Sequence, residues 1–178
     1  QARSGRPGPV FLELPPDILN VTLEESSAPL PPGPAQKYIA RPAGASLRAA
    51  AELIDSAKQP LFLGGSGVGY SACAAPLQQF IEKTGMPFIL LNSGRGELPD
   101  DHPQSIWDGG QLGMMTGIPQ ADLIIAAGLR FNWLLQSGAI IPPSAKVIRI
   151  DIDPHELDRN RTADVGLAGD LGAALEEL

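Results

Sequence analysis

The sequence predicts an α/β fold: an open, mostly parallel six-stranded sheet with helices on both faces, Rossmann-like in type. Three observations carry this expectation. Short apolar runs recur along the chain and end in glycine or aspartate. These runs are continuous instead of alternating, as required of parallel strands covered on both sides. Segments with apolar residues at helical spacing separate them.

The first 43 residues differ from the rest. Val10-Phe11-Leu12-Glu13-Leu14 reads as a strand, stopped by Pro15-Pro16 because proline cannot donate to a ladder. Pro29-Leu30-Pro31-Pro32-Gly33-Pro34, followed by Arg41-Pro42, favours extended backbone and reads as a surface linker. The expected division is therefore 1–43 as a leading segment and 44–178 as one α/β domain.

From Gly44 onward, Leu47, Ala50, Ala51 and Ile54 predict a helix that runs to Lys58 and stops at Pro60. Leu61-Phe62-Leu63 is the next strand, and Gly64-Gly65-Ser66-Gly67-Val68-Gly69 follows it as a turn. A helix over Ser71 to Lys83 buries Leu77, Phe80 and Ile81, with Pro76 in its first turns or at a kink. Gly85 ends it, and Met86 to Leu91 forms a strand. Residues 92 to 120 show no regular period. Strands then follow at Leu123 to Ala127, Val147 to Ile152 and Val165 to Ala168, with a last helix from Leu171 to Leu178.

The chain has 178 residues, 43% of them hydrophobic, which suffices for one real core but not for two full domains. Thirteen Lys plus Arg against 20 Asp plus Glu give a net charge of -7, which opposes a nucleic-acid partner or an anionic membrane surface. Cys73 is the sole cysteine, so no internal disulfide forms; no His/Cys spacing suits structural zinc, and a reducing, cytoplasmic setting is expected. The start at Gln1 carries no secretory leader pattern, and no apolar run is long enough to span a bilayer. The expected partners therefore include neither nucleic acid nor membrane.

Ligand chemistry concentrates at the strand ends, where open parallel sheets bind. Gly65, Gly67 and Gly69 offer backbone N–H groups to a phosphate, and Gly67-x-Gly69-x-x-Ala72 fits the G-x-G-x-x-A dinucleotide pattern. The same glycines also suit a tight turn with close packing. A nicotinamide dehydrogenase is disfavoured, because the second strand ends in Leu91-Asn92-Ser93 with no carboxylate for the ribose. Arg130, just after Gly128-Leu129, suits either a pyrophosphate contact or a surface salt bridge. Asp151 and Asp153 share one side of a strand end and suit either ribose or the cap of a turn at Pro154. Asp170 reads as an N-cap of the last helix. His102 and His155 stand beside prolines and read as solvated or capping residues, and Cys73 and Met114-Met115 read as packing. No catalytic residue and no metal ligand set is expected.

Gly5-Arg6-Pro7-Gly8-Pro9-Val10-Phe11-Leu12-Glu13-Leu14-Pro15 resembles the end of the N-terminal pyrimidine-binding domain of thiamine-diphosphate enzymes. Arg41-Pro42, Pro60 to Gly67, Gly85-Met86-Pro87, Gly94-Arg95-Gly96, Asp122 to Arg130, Ile150 to Leu157 and Gly169-Asp170 resemble their central, DHS-like NAD/FAD-binding domain in order and spacing. Leu112-Gly113-Met114-Met115-Thr116-Gly117 and Gly128-Leu129-Arg130-Phe131 resemble the segments that meet FAD in acetohydroxyacid (acetolactate) synthase large subunits. The resemblance implies a dinucleotide site at Gly65, Ser66, Gly67, Leu112, Gly113, Met114, Gly128, Arg130, Asp151, Ile152 and Asp170. It implies a transferase of branched-chain amino acid biosynthesis that uses thiamine diphosphate and Mg2+ held by flanking domains, assembled as a homodimer or homotetramer. That enzyme decarboxylates a 2-oxo acid and joins the remaining unit to a second carbonyl compound; this part of it is catalytically silent.

Asn132-Trp133-Leu134 stands where acetohydroxyacid synthases carry Asp-Asp-Arg. Arg-x-Asn-Trp is similar to 2-hydroxyacyl-CoA lyases and oxalyl-CoA decarboxylase, which implies ADP or CoA in place of FAD. A free-standing nucleotide-binding structural module is the third alternative.

Overall fold

The computed structural model describes residues 2–28, 33, 38–91, 94–106 and 112–178. Most of the Pro-rich passage, Asn92-Ser93 and the start of the Gly- and Met-rich stretch lie outside the described residues. The chain divides into two compact units, Gln1–Tyr38 and Ile39–Leu178.

In the first unit every described residue is exposed. Pro15-Pro16 does not merely stop a strand; Pro16 opens a one-turn helix, α1 (Pro16–Leu19), where its missing N–H costs nothing. Val10 to Leu14 is not a strand: no described strand pairs with it, and Phe11 is 88% exposed.

The second unit holds the sheet. Its elements are α2 (Gly44–Ser56), β1 (Pro60–Gly64), α3 (Ser66–Ser71), α4 (Ala74–Thr84), β2 (Phe88–Leu90), α5 (Leu112–Gln120), β3 (Leu123–Ala127), β4 (Lys146–Asp151), β5 (Val165–Ala168) and α6 (Leu171–Glu177). The sheet has five strands in the order β2-β1-β3-β4-β5, every pair parallel. A sixth strand was expected, but among the described residues five strands pair. Among the described residues an isolated bridge joins Phe88 of β2 to Ser105, closed by the Phe88 N–H to Gln104 O at 3.0 Å and the Ile106 N–H to Phe88 O at 3.1 Å.

Strand residues alternate between two cores. Phe62, Leu90, Ile125, Ile148, Ile150 and Leu167 pack with Leu47 and Ala50 of α2, Leu77, Phe80 and Ile81 of α4, and Leu171, Ala174 and Leu175 of α6. Leu61, Leu63, Ile89, Ile124, Ala126 and Val147 pack with Met114 and Ile118 of α5 and with Phe131, Leu135 and Ile141 beyond β3. Both faces are covered, which explains why the strands read as continuous apolar runs.

The helix expected over Ser71 to Lys83 is α4, starting three residues later, while the turn expected over Gly64 to Gly69 contains most of a further short helix, α3. Ala72 adopts a left-handed conformation (φ 52°) that ends α3, and α4 starts afresh with Pro76 at its third residue, where no intrahelical N–H bond is lost. Gly85 (φ 64°) closes α4 as expected. The stretch expected to be irregular contains α5. Met114 and Ile118, four residues apart, bury one face, and Pro119, one residue from the helix end, lacks the N–H that would close a bond of the last turn. His102 packs edge-on against Phe88 at 5.4 Å between ring centroids and caps its turn, its Nδ1 accepting the Gln104 N–H at 3.3 Å, while His155 is exposed.

Candidate functional site

The chain leaves β1 toward β2 on one side and leaves β3 toward β4 on the other, so the strand order reverses between β1 and β3. The crevice beyond their carboxyl ends is the place where a doubly wound sheet accepts a ligand. Gly64, Ala127, Ile150 and Leu167 lie in register across the sheet, so the turns that follow β1, β3, β4 and β5 emerge at one level. Gly65 and the start of α3 (Ser66, Gly67) follow β1, Gly128 and Arg130 follow β3, Asp151 ends β4 with Ile152 just after it, and Asp170 follows β5. Only Ala121 and Asp122 separate α5 from the amino end of β3. A nine-residue helix, about 13 Å long, therefore carries its first turn, Leu112-Gly113-Met114, back toward the carboxyl edge.

The glycines act first through packing. The Gly65 N–H donates to Ala127 O at 2.9 Å, the Gly67 N–H to Gly128 O at 3.0 Å and the Gly128 N–H to Ile150 O at 2.7 Å. Two of the N–H groups expected to face a phosphate are thus spent on joining neighbouring turns. The G-x-G-x-x-A pattern also lacks its expected long helix, since α3 has six residues and ends at Ala72. What these glycines supply is close approach of two backbones.

The carboxylates fix turns. Asp151, buried at the end of β4, accepts the Asp153 N–H at 2.9 Å, and Asp153 accepts the His155 N–H at 3.0 Å. These two bonds build the 3-10 turn Pro154–Glu156. Asp170 caps α6 by accepting the Ala173 N–H at 3.2 Å, as its position predicts. Met114 is buried in the α5 core, whereas Leu112 and Met115 are exposed.

Sequence reasoning missed the charged residues behind the site. Glu156 is buried, its side chain only 3% exposed, and its Oε1 is paired with Arg130 Nε at 3.1 Å and Arg159 Nη1 at 3.2 Å. Arg130 is thus salt-bridged yet 53% exposed at the crevice. Arg149 is 1% exposed inside β4. Its Nη1 donates to Arg159 O at 2.9 Å, its Nη2 donates to Leu129 O at 3.1 Å, and its guanidinium lies 4.2 Å from the centroid of the Phe131 ring. Burial lowers its pKa, and Asp151, Glu156 and Asp158 oppose that shift. With Asn160 Nδ2 donating to Phe131 O at 2.6 Å, these contacts stitch the turns after β3 and β4 into one block. A readable signal was a lone arginine inside Val147-Ile148-Arg149-Ile150.

Trp133 stands beside the crevice, 82% exposed. It starts a 3-10 segment capped by Asn132, whose Oδ1 accepts the Leu134 N–H at 3.0 Å. A separate recess of about 570 Å³, lined by Pro60, Leu61, Met86, Pro87, Ile106 and Gln120 among others, opens at the amino ends of β1 and β2. None of the candidate residues lines it, and the convergent charged groups lie at the opposite edge of the sheet. No cluster of His, Cys, Asp or Glu among the described residues suits a metal ion.

The chain matches the family described as thiamine pyrophosphate enzyme, central domain, over residues 47–178. It is 37% identical over 182 residues to acetolactate synthase of Mycobacterium leprae (strain TN), covering 99% of this chain and 29% of that protein. It is 33% identical over 180 residues to oxalyl-CoA decarboxylase of Escherichia coli (strain K12), covering 97% of this chain and 30% of that protein. Benzoylformate decarboxylase from Polynucleobacter necessarius shares the fold, with a TM-score of 0.75 at 23% identity over 99% of this chain and 33% of the other. The chain therefore spans about a third or less of each of these relatives.

Proposed function

We infer the function of this chain from the family to which it belongs: it is a central domain of the thiamine pyrophosphate enzymes, acetolactate synthase-like in sequence. We propose that it is a non-catalytic scaffold that binds a dinucleotide, FAD in the first instance, at the crevice between β1 and β3. In the complete protein, flanking domains would hold thiamine diphosphate and Mg2+, and the whole would decarboxylate a 2-oxo acid and transfer the remaining unit to a second carbonyl compound as a homodimer or homotetramer. Residues 1–43 would include the end of the preceding pyrimidine-binding domain.

One observation carries the site. Arg130 is exposed at the strand-order reversal while its Nε is held by a buried carboxylate, so its position is set before any ligand arrives. The contacts proposed for a dinucleotide fit the crevice in different ways. Gly65, Gly67 and Gly128 keep the crevice floor free of side chains, and Arg130 faces the pyrophosphate. Leu112 offers exposed apolar surface to a flat ring, while Gly113 and Met114 shape the turn beneath it. Ser66, Asp151, Ile152 and Asp170 line the strand ends. When bound in such a site, FAD serves as a structural group that ties domains together, and the coenzyme chemistry belongs to thiamine diphosphate.

A second reading has its own support. Trp133, exposed on a capped turn, suits stacking on an adenine, and together with the oxalyl-CoA decarboxylase similarity this favours ADP or CoA. Calorimetric titration of the chain with FAD, ADP and CoA in parallel tests both. Selective FAD binding supports the first reading, and ADP or CoA binding without FAD selectivity supports the second. Binding of none removes the nucleotide site from this chain.

A further inference from the structure

We propose that Arg159 is a second phosphate-binding cation of this crevice, paired with Arg130 through Glu156 into a two-guanidinium clamp for a diphosphate. The inference deepens the nucleotide reading above and rests on it for the identity of the ligand, but not for the anion chemistry.

Arg130 and Arg159 converge on one carboxylate. Glu156 is buried and spends a single oxygen, Oε1, on both arginines, at 3.1 and 3.2 Å. Two guanidinium groups share this one oxygen, and the side chains of Arg130 and Arg159 are 53% and 64% exposed. The neighbouring carboxylates hold other groups: Asp151 accepts the Asp153 N–H, Asp158 accepts the Ala163 N–H at 3.1 Å, and both charges act on buried Arg149. Beyond Glu156, no acceptor among the described residues takes the remaining N–H groups of Arg130 or Arg159.

The surrounding hydrogen bonds make that convergence rigid. Glu156 sits on the turn fixed by Asp151 and Asp153, and the Arg159 carbonyl is pinned by Arg149. Both guanidinium groups therefore converge on one fixed oxygen, with their remaining N–H edges available to solvent. Two planar, permanently charged forks held at a fixed spacing match the oxygens of adjacent phosphoryl groups better than one mobile lysine would. The pair lies at the edge of the sheet where ligands enter.

The test is calorimetric titration of wild type and Arg159→Gln with ADP, FAD, CoA, adenosine and inorganic pyrophosphate, with Arg159→Lys as the charge-retaining variant. Arg159 reaches Glu156 from an exposed position, so the melting temperature of Arg159→Gln should stay close to that of wild type. The expected result is a roughly ten- to hundred-fold loss of affinity for pyrophosphate and for the diphosphate-bearing ligand, the worth of a charged hydrogen bond. Adenosine binding should not change, and Arg159→Lys should recover part of the loss. Equal affinity of wild type and Arg159→Gln for a nucleotide that does bind overturns the clamp and leaves the nucleotide reading standing. Arg159-dependent pyrophosphate binding without any nucleotide binding supports the clamp and removes the nucleotide reading. A parallel loss of adenosine binding, or no binding of any ligand by wild type, overturns the clamp.

Discussion

Gly67 and Gly128 pack backbone against backbone at the strand-order reversal: a Cβ built on either would lie 2.5 Å from the Cα of the other. The pair closes the floor of the crevice and joins the turn after β1 to the turn after β3, with the Gly67 N–H donating to Gly128 O at 3.0 Å. Because the obstructing atoms are main chain, no side-chain rotation can relieve an added methyl group.

That contact predicts a contrast between two glycines of similar conformation. Gly128 and Gly85 have φ of 54° and 64°, but a Cβ on Gly85 meets nothing within 4 Å. Asparagine tolerates this conformation. Gly85→Asn should therefore cost about 1 kcal/mol or less, while Gly128→Asn should cost about 3 kcal/mol or more, the upper end for overpacking. Urea titrations of both variants measure the difference, and equal costs would show that the Gly67 contact is slack.

Arg149 is expected to be the most costly charged residue to remove. Arg149→Met keeps the stem but leaves Leu129 O and Arg159 O without their donor, at about 2–4 kcal/mol for two partly or fully buried carbonyls. Denaturant unfolding gives the loss directly. Arg149→Lys should recover little, since an ammonium cannot both span the two carbonyls and lie flat over Phe131.

Cys73 is buried, and burial raises the pKa of its thiol; its Sγ–H faces Val68 O at 3.5 Å. The thiolate needed for alkylation is therefore both scarce and shielded. Iodoacetamide labelling at neutral pH should be slower in the native chain than in denatured chain by roughly 100-fold or more, because access requires opening of the α3 to α4 junction. Labelling at equal rates would mean that the junction opens freely.

Two aspartates at the amino edge should govern acid stability. Burial works to raise the pKa of Asp122, but the Lys58 and Gln59 N–H groups, donating at 2.8 and 2.9 Å, outweigh it and the pKa is lowered. Burial likewise opposes a net lowering at Asp164, where Lys146 Nζ at 2.8 Å and the Val147 N–H at 2.9 Å prevail. A depressed folded pKa stabilises the fold above the unfolded value, about 3.9 for aspartate. That contribution is lost as the pH falls through the folded pKa. Asp122→Asn and Asp164→Asn should each reduce stability at pH 7 and flatten the fall in stability below about pH 4, measured as melting temperature against pH.

Much of the domain was legible along the chain. Leu123 to Ala127 and Val165 to Ala168 are strands where their apolar runs place them, Gly85 ends α4, and Asp170 caps α6. In each case the signal is local: a run of apolar residues, a left-handed terminus, or a short polar side chain before a helix. The break at Ala72 was partly legible through Pro76, whereas α5 was hidden by its two glycines and its proline.

The sequence by itself determined the parallel α/β class, the family and the gathering of the candidate residues at the strand ends, because burial on two faces and turn chemistry are written in neighbouring residues. Only the tertiary structure decided that five strands pair and that the Gly65 and Gly67 N–H groups bond across to the next strand and its turn. It alone showed that Glu156 gathers Arg130 and Arg159, and that Arg149 pins the turns behind them. The physical reason is distance along the chain. The Arg149–Leu129 hydrogen bond and the Arg130–Glu156 ion pair join residues 20 or more positions apart, leave no period in either segment, and exist only once the strands between them have taken their places.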